Sequence, residues 1–153
     1  MDGAPEVPRG PTEPSAAAYA GAVVGGLLGA ALGGVVWAIF LFVFHFYFGA
    51  IAFLVGIASG YGAHLLSGRR GGPGIQAIAA GCAVLGYLAG DYMVLAHGHI
   101  PWLLANKHIA AGYLDPVVWS YVWGNPDHHF GKFDVLWAAF AVWGAWITSA
   151  RAR

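Results

Sequence analysis

The chain has 153 residues, of which 59% are hydrophobic and only 9% charged, against about 25% charged residues in soluble domains. Seven Lys and Arg balance seven Asp and Glu, so the electrostatic footprint that nucleic-acid binding requires is missing. A lone cysteine, Cys82, excludes an internal disulfide and any multi-cysteine zinc site.

Residues 1–15 hold Asp2, Glu6 and Glu13 against Arg9, with four prolines, and read as a disordered polar tail. A signal peptide has a basic start, a short apolar stretch and then a cleavage site; here the charge and the order both differ. From Ser15 to Gly68 there is no Asp, Glu, Lys or Arg. The apolar stretch 16–66 is too long for one membrane span of about 20 residues and suits two. The spacing predicts spans at about 17–43 and 49–66, broken near His45, Tyr47 and Gly49.

The first of these helices contains GAVVGGLLGAALGGVV, which puts Gly21, Gly25, Gly29 and Gly33 in one row. The next row is Ala22, Gly26, Ala30 and Gly34, and the remaining rows are aliphatic. In water such glycine density costs about 1 kcal/mol per residue relative to alanine. In lipid the backbone has no alternative to the helix, and small faces let helices approach closely. The second helix has its own small row, Ala52, Gly56 and Gly60, which makes it the expected antiparallel partner of the first helix's glycine row.

SGRRGGPG at 67–74 is a loop. A third span is expected at about 75–96, with Cys82, Gly86 and Gly90 as its small row. Segment 97–132 differs from the rest in its charges, histidines and aromatic rings. Pro101 can open a short helix to about residue 112, and Asp115-Pro116 is a good N-cap and first position for another to about residue 123. Neither is long enough to span, and Trp and Tyr suit the headgroup zone. This outer segment is expected to fold back over the mouth of the bundle, with its histidines turned towards Asp91 and Asp134. A last span, at about 133–150, precedes Arg151 and Arg153. The fold expected is an all-α integral membrane four-helix bundle with glycine-rich packing faces and an outer interfacial helical segment. It forms one membrane domain, 16–153.

With four spans, Arg9, Arg69, Arg70, Arg151 and Arg153 share one side, and only Lys107 and Lys132 lie on the other. The positive-inside rule then gives N-in, C-in, with 97–132 outside. The helix-packing residues are Gly21, Gly25, Gly29, Gly33, Gly56, Gly60, Gly86 and Gly90.

The glycine-repeat helix ending in Trp37, the run Gly49-Ala50-Ile51-Ala52 leading into Gly56-x-x-x-Gly60-Tyr61-Gly62, and the basic glycine-rich loop together resemble an uncharacterised group of small bacterial multi-pass membrane proteins. The closing FDVLWAAFAVWGAWITSA is similar to the last helix of that group. The resemblance covers the first, second and last spans, not 97–132. It implies residence in a bacterial cytoplasmic membrane and brings no activity with it.

For chemistry, His97, His99, His128, His129 and Asp91 form the candidate metal set, since imidazole and carboxylate bind zinc, iron or copper. A divalent metal is the only cofactor this composition suggests, and no pair has the i, i+4 spacing of helical metal motifs. Asp127-His128-His129 starts like a palmitoyltransferase signature, but Phe130 stands where the nucleophilic cysteine must be. Ile57-Ala58-Ser59-Gly60 lacks the first glycine of the rhomboid serine motif. No catalytic residues are assigned. The reading is a non-catalytic packing or accessory membrane protein whose partners are the bilayer and either a second copy or a larger membrane complex. The alternative is a metal-binding membrane enzyme or metal-handling protein using the outer His/Asp set.

Overall fold

The computed structural model describes residues 14–44, 51–124 and 132–150, and these are helical with short connections. Five helices lie among them: α1 (Ala16–Phe44), α2 (Ile51–Leu66), α3 (Pro73–Lys107), α4 (Pro116–Gly124) and α5 (Lys132–Ser149). The expected break at 45–50, residues 1–13, and Asp127, His128 and His129 lie outside the described residues.

Local chemistry fixes the helix ends. Ser15 caps α1 by accepting from the Ala18 N–H at 3.3 Å. The α2 C-terminus closes in a Schellman turn: Gly68 at φ 76 sends its N–H to the Leu65 carbonyl, and Arg69 reaches back to His64 at 2.9 Å. Pro73 then opens α3 directly after Gly72, where its missing N–H costs nothing. Asp115 caps α4 by accepting from the Val117 N–H at 2.9 Å, and Pro116 takes the first helical position.

α2 sits between α1 and α5, and α3 packs across all three. The main core joins Trp37 of α1, Ala52 and Val55 of α2, Ile75, Ala83 and Tyr87 of α3, and Ala141 and Ala145 of α5. α1 and α2 meet along the glycine row. Gly21 backs onto the Leu66 carbonyl, Gly25 onto that of Gly62, Gly29 onto that of Ala58, and Gly33 onto the Val55 Cα. No side chain fits in these gaps, so the two backbones touch. The neighbouring row of α1 meets α3: Gly26 lies against Cys82, and Ala30 against Gly86.

Two expectations are corrected here. The small row Gly56 and Gly60 does not face α1. It faces α5, with Gly56 against the Ala141 carbonyl and Gly60 against Ala145 and Thr148. α2 carries small residues on two faces, and α1 takes the one holding Ala58 and Gly62. The second correction concerns the third helix, which does not end at 96. It continues through Pro101 to Lys107, so no separate helix opens at Pro101. Ala96 before the proline and Leu103 after it are both buried with Val118 and Val122 of α4. That shared small core holds the helix together across the lost backbone bond.

Candidate functional site

α2 and α5 reach the top of the main core near Trp37 and Tyr87; above that level α1 and α3 continue. Polar and aromatic groups gather at this step. The Tyr87 hydroxyl donates to Asp134 Oδ1 at 3.1 Å, which ties α3 to α5. The Trp37 and Tyr87 rings stack at 5.2 Å, with Gly90 beneath the indole. Asp91, one turn above Tyr87, is 2% exposed. A bulky residue at 90 would push Trp37 away, so the glycine serves a ring rather than a helix backbone.

Higher on α3 the packing becomes aromatic. Tyr92 contacts Trp119 at 5.1 Å and Trp123 at 6.5 Å, and its hydroxyl donates to the Tyr113 carbonyl at 2.5 Å. Tyr121 fills the space between His99, at 4.9 Å, and Trp102, at 5.7 Å. α4 therefore crosses the flank of α3 between Tyr92 and Trp102. Among the described residues its packing is chiefly on that helix; residues 125–131, which the expected cap also includes, lie outside them.

Two of the five candidate metal residues have described hydrogen-bond neighbours. His97 Nδ1 shares a hydrogen bond with the Tyr113 hydroxyl at 2.7 Å, and its ring lies 4.3 Å from Phe42 of α1. His99 Nδ1 lies 2.7 Å from the Leu95 carbonyl. A carbonyl only accepts, so this nitrogen carries the hydrogen and Nε2 is the ring's lone-pair nitrogen. Among the described residues no three His, Cys, Asp or Glu side chains could share a metal ion. His128 and His129 lie outside the described residues.

Comparison with protein-family models, with curated proteins and with solved structures finds no match.

All eight predicted packing glycines lie at close helix contacts: four on α2, two on α5, and Gly86 and Gly90 on α1. Tyr87 and Tyr92 have no role assigned from the sequence. The signal for Tyr87 was available, since it precedes Asp91 by one turn and so shares its helix face. Three hydroxyls of the main bundle also bond within it. Ser59 Oγ donates to the Ala79 carbonyl at 3.0 Å, and Thr148 and Ser149 return to carbonyls of their own helix.

Proposed function

We propose that the chain is a four-span integral membrane protein of packing or accessory type, N-in and C-in, rather than an enzyme. The observation that carries this is the outer surface of α1. Val23, Leu27, Leu28, Leu32, Val36, Ile39 and Val43 are all exposed there, with no charged side chain on the helix. A soluble protein rarely leaves so long an apolar face bare. A core helix of a soluble domain is mostly covered, whereas only 33% of the apolar window in α1 is buried.

The dimensions agree with a bilayer. α1 and α3 are long and apolar enough to cross a membrane. The shorter apolar helices α2 and α5, of 16 and 18 residues, extend roughly 24 and 27 Å at 1.5 Å per residue. A hydrocarbon core of about 30 Å accepts these by slight thinning and by Trp and Arg anchoring at the ends. Trp146 of α5 is exposed, and its carbonyl accepts from Gln76, which follows the Arg69-Arg70 loop, at 3.3 Å. A packing role is supported by the use of the small faces and of Ser59, Tyr87, Thr148 and Ser149 in internal contacts.

Two measurements test the reading. Alkaline carbonate should leave the protein in the membrane pellet, and release into the supernatant refutes membrane integration. In mild detergent the native mass should exceed that of the 16.0 kDa chain through a stoichiometric second chain, of the same or another kind. A lone monomer that carries one tightly bound metal ion would overturn the accessory role in favour of metal handling.

A further inference from the structure

We infer that α4 is an interfacial helix of the outer leaflet, inserted among lipids beside α3 with Val117 and Trp119 on its flanks, and Leu114 just before it, as the lipid-facing groups. This rests on the membrane reading above and adds a surface and its occupant to it. Among the described residues α4 packs on α3, through Val118 and Val122, which are fully buried. Around the rest of this segment the apolar groups are bare: Leu114, just before the helix, is 93% exposed, Trp119 is 56% exposed on the flank where it also meets Tyr92, and Val117 is exposed on the other flank. No Asp, Glu, Lys or Arg occurs in Pro116–Gly124, and Asp115 is spent on the helix cap.

Depth identifies the occupant. The exposed aliphatic belt of α1 runs from Val23 to Val43, roughly 30 Å along the axis, which is one hydrocarbon thickness. Its upper end is level with His97, because Phe42 meets that ring at 4.3 Å. The α4 rings contact Tyr92, five residues below His97, and Trp102, five residues above it, about 7.5 Å either way. The helix therefore straddles the edge of the hydrocarbon. Headgroups occupy about 5–8 Å on each side of the core, and interfacial helices bury their apolar face to about 5–10 Å. Uncharged Leu, Val and Trp side chains left bare at that height match the groups that a lipid boundary covers.

Nitroxide labels in bilayers of neutral phospholipid test the assignment. They are placed singly at Val117→Cys, Trp119→Cys and Leu114→Cys in a Cys82→Ala background, with Asn106→Cys as the water reference and Leu28→Cys and Leu32→Cys as the belt reference. Collision with oxygen, relative to a water-soluble nickel chelate, should be several-fold higher at 114, 117 and 119 than at 106, and lower than at 28 and 32. Labels on α4 that match position 106 while 28 and 32 remain in lipid overturn the interfacial helix and leave the span reading intact. Labels shielded from both reagents show a protein covering the face and likewise overturn it. If 28 and 32 also match 106, the membrane reading itself fails. All six sites are exposed, and quenching of native Trp119 by bromine on shallow lipid carbons, lost in Trp119→Phe, gives a second readout without labels.

Discussion

Alanine at Gly29 should separate α1 from α2, and the size of the effect follows from what a methyl group would meet there. The new carbon would lie on the Ala58 carbonyl, 2.6 Å from its carbon and 2.9 Å from the Ser59 nitrogen. These are backbone atoms that no rotamer can move. Ordinary contact begins at 3.4 Å and the carbonyl oxygen lies closer still than its carbon, so the helices must part by more than 1 Å. Because Gly21, Gly25 and Gly33 seat on the same neighbour, the gap opens along the whole interface. Overpacking of this kind costs about 1–3 kcal/mol, offset by up to about 1 kcal/mol from alanine's better helix propensity, for a net loss of roughly 1–2 kcal/mol. Gly81 provides the internal control. It lies on α3 with nothing within 4 Å of an added Cβ, so Gly81→Ala should be neutral or stabilising. Gly90→Ala meets only the Trp37 ring, at 2.9 Å, and should fall between. Gly25→Ala combined with Gly29→Ala should cost less than the sum, because the first separation makes room for the second. SDS titration of the purified protein in mixed micelles, followed by near-ultraviolet circular dichroism, measures all of these. If Gly29→Ala and Gly81→Ala unfold together, the glycine row is not what sets the α1–α2 distance.

Ser59→Ala removes the bond to the Ala79 carbonyl and should cost about 0.5–1 kcal/mol in the same titration. Tyr87→Phe strips Asp134 of its 3.1 Å hydroxyl donor and should cost more, about 1.5–3 kcal/mol, because the acceptor is a carboxylate; equal losses for the two variants would argue that Asp134 is neutral or solvated. Pro101→Ala restores a backbone donor to a helix that already runs through this position, so the expected change is stabilising; a loss of stability would show that the pyrrolidine ring itself packs. His97→Ala breaks the link to Tyr113, and hydrogen exchange should then quicken at 109–114 while the main bundle stays protected.

The helix inventory was largely legible because it depends on local chemistry. Ser15, Gly68, Pro73 and Asp115-Pro116 are end signals readable from the chain, and each stands at an observed helix end. The pairing of α2 was not legible. Its small residues form two rows, and nothing in the sequence says which row meets the first helix and which the last. Pro101 misled for a related reason: its local cost is real, but Ala96 and Leu103 reach the same pair of valines on α4 and outweigh it. For the histidines, composition shows residue types and not their neighbours. The neighbours that occupy His97 and His99 are a tyrosine sixteen residues on and a carbonyl one turn back.

The seat of the last helix has a consequence for how the molecule is made. Gly56 and Gly60 of α2, with Tyr87 of α3, belong to segments that leave the ribosome well before residue 132. When synthesis reaches α5, the first three helices can already be assembled around an open slot lined by bare backbone and one phenol. α5 then works as a latch, and a chain terminated before it carries an unfilled groove.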